Sequence, residues 1–349
     1  MAKKSKKTGN SITSKDVAAL AGVSQSTVSR VLSSSDRANS FISEETSKRV
    51  RRAADQLGYS PNPIARALRG QPTNLIGLVV REIADPFFAG FIEVLSIMIR
   101  EAGLNVVLGH AHSDPGQALE MAHVLDSRQC DGVIFLGDLR NDENAVKSIL
   151  LENHPVVALC RGKSVFSLPT VNVNNEIGIQ LLLDHLFSLG HKNLIFVDGG
   201  WFGDIHERRS IFLSKMFNND RDINYTWLQA KDNSAEGGYQ AMFEISKMIP
   251  MPTAVMASDD AMATGILKAA HDLGINIPED ISVTGFDDID SAKFTFPSLT
   301  TVRQPIEKMS ELALRLLQMQ IEKDEISESE IFNQISPELA IRDSSGPCK

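Results

Sequence analysis

A chain of 349 residues, 42% hydrophobic with a formal charge of −9, can hold one small domain and a larger bilobed body, and an evenly spread charge of that sign would exclude a polyanionic partner. The charge is not evenly spread: residues 1–72 carry thirteen basic against five acidic side chains, leaving −17 on the rest, so a polyanion belongs at the front. Cys130, Cys160 and Cys348 lack metal-ligand spacing and need no disulfide framework, and neither a signal-peptide core nor a membrane-length apolar run is present, so a reducing, cytoplasmic setting away from membranes is expected.

Residues 1–12, with Lys3, Lys4, Lys6 and Lys7, read as a basic flexible tail. Two short helical patterns then flank Gly22. Thr13 with Asp16 three residues on is a capping-box start, and Ser24 is a second N-cap. Val17, Ala18 and Leu20 are expected to face inward from the first helix, and Val28, Val31 and Leu32 from the second. Gly22 permits the tight turn between them. On the second helix Gln25, Ser26 and Arg30 offer an amide, a hydroxyl and a guanidinium, groups suited to base edges and phosphates. A third helix is expected after Ser43, with Val50, Ala53, Ala54 and Leu57 inward and a stop near Gly58. Pro63 then opens a short helix ending at Gly70 that is too sparsely apolar to form its own core.

Beyond Pro72 the pattern changes to alternating strands and helices. Leu75 to Val80, Leu104 to Leu108, Gly132 to Leu136, Pro155 to Leu159, Leu194 to Val197, Ala254 to Ala257 and Ile281 to Phe286 are apolar strands. Between them lie helical patterns: Pro86 to Gly103, a segment containing Met121, Leu125 and Cys130, Ala145 to Leu151, Gly178 to Leu189, and later 306–322. Repeated strand–helix units imply largely parallel sheets with a ligand cleft at their carboxyl ends. The helix carrying Phe91, Val94, Leu95, Met98 and Ile99 has apolar surface for both its own sheet and a two-fold interface. Chemistry-first readings fail: there is no metal-spaced histidine cluster, no phosphate loop and no nucleophile elbow, so an enzyme is not expected.

The front segment resembles the LacI/GalR family of bacterial transcription regulators. The resemblance rests on Asp16-Val17-Ala18, Ala21-Gly22-Val23-Ser24, Thr27 to Leu32, Leu57 to Asn62 and Ala65 to Leu68. It implies an all-α helix-turn-helix domain over 13–60 and a hinge helix and linker over 61–72. Gln25, Ser26 and Arg30 would then read the major groove of double-stranded operator DNA, and Thr13, Ser24, Thr27 and Asn62 would make phosphate or positioning contacts. Ala65, Arg66 and Leu68 would lie on the hinge, with Leu68 wedged into the minor groove of a kinked operator. Ser14 departs from the family by replacing an apolar residue, a change expected to loosen helix packing slightly.

The body resembles the same family's effector domain, of periplasmic-binding-protein-like fold, through Asp85-Pro86-Phe87-Phe88, Asp184-His185-Leu186, Asp260 to Gly265, Ile277 to Val283, Gly285 to Asp288 and Pro297 to Pro305. The implied body spans 73–349, with one subdomain at 73–191 plus 304–333 and the other at 192–303 plus 334–349. Expected effector-binding residues are Phe87, Phe88, Arg161, Trp201, Arg208, Asp259 and Asp287. Phe88 is the stronger stacking candidate, and Arg208 matches the family's effector-contacting arginine, whereas Arg209 reads as a solvated charge. Asp85 and Asp259 stand where the family commonly has Asn, and Asn174 where it has an acid. Ionised Asp only accepts hydrogen bonds, so these changes suit a donor-rich polyhydroxyl ligand.

The expectation is thus a homodimeric repressor without a cofactor, whose pseudo-palindromic operator affinity answers to a sugar or related small molecule. A regulator that depends on a corepressor, either another metabolite or a phosphorylated protein, and a solute-binding receptor are the competing readings. No leucine-heptad extension supports a tetramer.

Overall fold

The computed structural model describes residues 12–32, 42–59, 72–126, 130–138, 154–161, 168–200, 203–219 and 222–349. The chain divides into two compact units, 1–73 and 74–349.

In the first unit α1 spans Ser14–Ala21, α2 Gln25–Leu32 and α3 Glu44–Leu57. The Thr13 backbone N–H and hydroxyl both donate to Asp16 Oδ2 at 2.8 Å. Gly22, at φ 62°, ends α1 in the left-handed region where a side chain would be strained. Ser24 Oγ accepts from the Thr27 N–H at 3.1 Å, and Ser43 Oγ from the Thr46 N–H at 3.3 Å, so α2 and α3 are capped from within the sequence. Val17, Ala18, Ala21, Val28, Val31, Val50, Ala53 and Ala54 form the core. Small side chains let three short helices cross closely. Leu20 is a correction: it is 48% exposed, because Ala21 rather than Leu20 shares the helix face of Val17 and Ala18. Leu32 and Leu57 pack at the core's edge.

The second unit has two six-stranded sheets. The first contains β1 (Leu75–Val80), β2 (Asn105–His110), β3 (Gly132–Leu136), β4 (Val156–Leu159), β5 (Thr170–Val173) and, late in the chain, β11 (Phe332–Ile335), in the order β11-β5-β4-β3-β1-β2. The second contains β6 (Asn193–Asp198), β7 (Asn224–Gln229), β8 (Ala254–Ala257), β9 (Ser282–Asp287), β10 (Thr300–Arg303) and β12 (Glu338–Ala340), in the order β12-β10-β9-β8-β6-β7. All pairings are parallel except that of β10 with β12. The intervening helices are α4 (Pro86–Glu101), α5 (Pro115–Asp126), α6 (Asn175–Ser188), α7 (Gly203–Phe217), α8 (Ala235–Ile245), α9 (Asp260–Leu273) and α10 (Ile306–Glu322). Central strands β3, β4, β8 and β9 are buried throughout, as expected for sheets covered on both faces.

Two expectations change here. Cys130 lies beyond the end of α5 at Asp126, where its backbone N–H returns to the Leu125 carbonyl and its side chain is buried before β3. The first crossing between lobes also lies earlier than 191. Helix α6 packs on β10, β12 and α7, with Gly178 so close to Phe286 and Val302 that a Cβ would clash, so the chain changes lobe near 174. The later crossings fall between β10 and α10 and between β11 and β12. The expected helix over 145–151 lies outside the described residues.

Candidate functional site: a charged cleft at the strand ends

On α2 Gln25, Ser26 and Arg30 are exposed, while Val28 and Val31 are buried. Thr27 is half-buried, its hydroxyl hydrogen-bonded to Ser24 Oγ at 2.8 Å. Gln25 Nε2 donates to Ser14 Oγ at 2.7 Å, so the polar residue at position 14 gives the second helix a partner on the first. Asn62, Ala65, Arg66 and Leu68 lie outside the described residues.

The body's candidate residues converge at the carboxyl ends of the parallel strands, where loops from both lobes meet. Arg81 follows β1, Arg161 follows β4, Asn175 begins α6 after β5, and Asp204 and Arg208 lie on the first turns of α7. Asp259 caps α9 after β8, Asp287 ends β9, and Gln304 follows β10 on a crossing between lobes.

Arg208 is the centre of this arrangement, at 1% exposure. Its Nε donates to Asn175 Oδ1 at 3.0 Å and its Nη1 to the Ser258 carbonyl at 2.8 Å. The same Nη1 lies 3.4 Å from Asp287 Oδ1, Nη2 lies 4.0 Å from Asp204, and the guanidinium stacks 3.7 Å from the Phe286 ring centroid. Such a planar fork, held on four sides, presents fixed donors to a ligand. Asn175 Nδ2 in turn donates to Glu207 at 2.6 Å.

Asp287 is buried and receives Gln304 Nε2 at 2.7 Å; its backbone φ of 116° and that of Asp288, 55°, are left-handed conformations rare for side-chain-bearing residues. Strain of this kind persists where surrounding bonds enforce it. Asp259 accepts from the Met262 N–H at 2.8 Å and from Asn233 Nδ2. Burial drives the carboxyls of Asp259 and Asp287 upward from the ordinary range, against the opposing pull of Arg208. Burial, reinforced by the charge of Asp259, lifts Asp85 to about 6, with Arg81 opposing. Asp138 is raised too, by burial and then by Asp204.

Phe88 is fully buried, and the Arg81 guanidinium covers its ring at 4.6 Å from the centroid. Phe87 is 5% exposed and packs edge-on to Phe91 at 5.3 Å. Gly137, at φ 93°, makes room for this arrangement: a Cβ there would stand 2.7 Å from Phe88 Cζ and 2.9 Å from Arg81 Cβ. Arg161 is buried, with its backbone N–H and carbonyl bonded to the Asn172 side chain at 2.8 and 2.6 Å. Together Arg161, Asn175, Asp204, Glu207, Arg208 and Gln304 line a cavity of about 10 Å³, room for one water molecule. Trp201 lies outside the described residues.

Arg209 corrects an expectation. It is buried, pairs with Asp198 at 3.0 Å and stacks on Trp227 at 4.5 Å, so it fastens α7 to its own sheet. Arg81 and Asp204 escaped the sequence reading. Arg81 directly follows an unbroken apolar strand, the signal that marked Arg161, and Asp204 stands one helical turn before Arg208. Asp260 belongs to packing, accepting from Thr301 Oγ1 at 2.5 Å and the Ile289 N–H at 2.9 Å. Among the described residues no group of three or more His, Cys, Asp or Glu could hold a metal, and no helix is long and apolar enough to cross a membrane.

Residues 13–62 match the model of the lacI family of bacterial regulatory proteins, and residues 183–345 that of the periplasmic binding protein-like domain. A PurR transcriptional repressor of Erwinia tasmaniensis is 33% identical over 310 residues, 87% of this chain and 89% of that protein. The chain belongs to the LacI family. A probable ExuR repressor of Bacillus subtilis is 30% identical over 341 residues, covering 95% and 98% of the two chains. Among solved structures, the Lac repressor dimer bound to operator and the anti-inducer ONPF superposes with a TM-score of 0.80 over 96% of this chain and 99% of that one, at 24% identity, a likeness of fold. The regulator CelR in complex with cellobiose gives a TM-score of 0.65 at 27% identity over 96% and 100%. As a LacI-family member this chain is a DNA-binding transcriptional repressor with a ligand-responsive body.

Proposed function

We propose that two copies of the chain bind a pseudo-palindromic operator and that a polyhydroxyl effector in the cleft releases it. The observation that carries this reading is the network that joins Arg208 to Asn175, Ser258 and Asp287 in one lobe, to Gln304 on the crossing through Asp287, and to Arg81 of the other lobe through Asp204. A ligand held by groups on both lobes favours one lobe arrangement over another, and only such differential affinity shifts operator binding. Gln25, Ser26 and Arg30 read the major groove in this account; Thr13, Ser24, Thr27 and Asn62 position the backbone, and Ala65, Arg66 and Leu68 serve the central minor groove.

Arg161, Arg208, Asp259 and Asp287 bind the effector, with Phe87, Phe88 and Trp201 shaping the apolar side of its pocket. The CelR complex with a disaccharide supports a carbohydrate-like ligand over a protein corepressor. Titration of carbohydrates against operator affinity at fixed salt tests the proposal. A ligand that binds the cleft should weaken operator binding at least tenfold; tighter binding would indicate corepression, and no effect from any cleft ligand would reject the mechanism.

A further inference from the structure

The first two helices share a side-chain bond that bears on which bases the chain accepts. Ser14 is the first residue of α1, and Thr13 with Asp16 holds that turn in place through the two 2.8 Å bonds to Asp16 Oδ2. Gln25 is the first residue of α2, and its Nε2 donates to Ser14 Oγ at 2.7 Å. The residues beside it are tied as well. Ser24 Oγ lies 2.7 Å from Ser26 Oγ and 2.8 Å from Thr27 Oγ1, and it accepts the Thr27 N–H. The exposed polar groups at the start of α2 are therefore held from within the protein.

Glutamine has much rotamer freedom to lose, and a bond made before DNA arrives takes that cost out of binding. The Ser14 bond also divides the amide. A glutamine side chain offers an acceptor oxygen and a nitrogen with two hydrogens. Ser14 Oγ takes one hydrogen, which leaves Oε1 and a single N–H. In the major groove adenine presents the N6 donor beside the N7 acceptor, the complement of that pair. Guanine presents two acceptors, O6 and N7, and one hydrogen cannot serve both. Without the Ser14 hydroxyl the amide regains its second hydrogen and is free to turn over.

We infer that Ser14 is a positioning residue for sequence choice: by holding the Gln25 amide nitrogen, it directs Gln25 to adenine and away from guanine at one position of each operator half-site. This rests on the reading of Gln25 as a major-groove contact. Ser14 itself touches no base; it acts through Gln25.

The test uses the full chain and a duplex that it selects from a random pool. Each base pair of the selected half-site is then changed in turn, and fluorescence anisotropy at fixed salt measures affinity for the unmodified chain, Ser14→Ala, Gln25→Ala and the double variant. Gln25→Ala should relax one position, where the unmodified chain prefers adenine over guanine about tenfold or more. Ser14→Ala should cut that preference about threefold or more at the same position only, and should change nothing further once Gln25 is alanine. Its unfolding midpoint should match that of the unmodified chain. A uniform loss of affinity in Ser14→Ala with the adenine-to-guanine ratio intact overturns the inference, because that is the mark of packing alone. A preference other than adenine at the Gln25 position overturns it too, while leaving Gln25 as a base contact. Should Gln25→Ala relax no position, the major-groove reading of Gln25 falls together with the inference, and failure to select any duplex removes operator binding itself.

Discussion

Arg81 at the end of β1 reaches Asp204 at the start of α7, Nη1 to Oδ1 at 3.5 Å, and so joins the two lobes across the cleft. Asp204 in turn approaches Arg208 at 4.0 Å on the same helix. Lobe closure and the ligand-facing guanidinium therefore share one carboxylate. A ligand that draws on Asp204 acts on both at once.

Arg81→Ala should destabilise the body by about 1–3 kcal/mol, because Asp85 and Asp204 lose a close buried cation. The same change uncovers one face of Phe88. Denaturant unfolding of the body followed by tryptophan fluorescence measures the loss. An unchanged midpoint would mean that the interlobe pair adds nothing to closure.

Arg208→Ala should cost more, about 3–5 kcal/mol, by leaving Asp287 buried opposite an empty space, and should abolish the effector response. Arg208→Lys should not rescue it, since a point charge cannot reproduce simultaneous bonds to Asn175 and Ser258. A lysine variant with full response would show that charge alone suffices.

Ser24→Ala removes the acceptor for the Thr27 N–H at the start of α2 and should destabilise the first unit by about 1 kcal/mol. Operator affinity should fall. Effector affinity, measured by calorimetry on DNA-free protein, should stay within twofold.

Burial lifts the Asp260 carboxyl to about 8. Its folded pKa lies above its unfolded value, so its contribution to stability is complete below about 4 and is lost as pH rises through 8. The body should therefore melt lower at pH 8.5 than at pH 6.5. Asp260→Asn, which can donate to Thr301 and accept from the Ile289 N–H, should flatten that difference. A variant that keeps the full slope would place the titration elsewhere.

The regular elements were legible where one physical signal dominated. Unbroken apolar runs marked β1, β3, β4 and β8, and the capping residues Thr13, Ser24 and Ser43 marked the front helices. Strand β5, Thr170–Val173, carries a buried Asn172 and is too short for a periodic signal. Strand β7 is an edge strand whose residues are almost all exposed, so Asn224–Gln229 reads as polar chain. The lobe change before α6 is invisible because a helix apolar enough to be buried suits either sheet; only its packing against Phe286 and Val302 decides. Within the cleft, Arg208, Asp259 and Asp287 stand out by motif, whereas Arg81 and Asp204 gain meaning from each other across a sequence separation of 123.

Selection of duplexes from a random pool by the full chain, followed by mass measurement of the complex with and without a cleft-binding ligand, tests the central claim most directly. The account predicts two-fold-related half-sites, two chains per duplex, and release of the DNA when ligand is added. One chain on an asymmetric site, indifferent to every ligand that occupies the cleft, would contradict it.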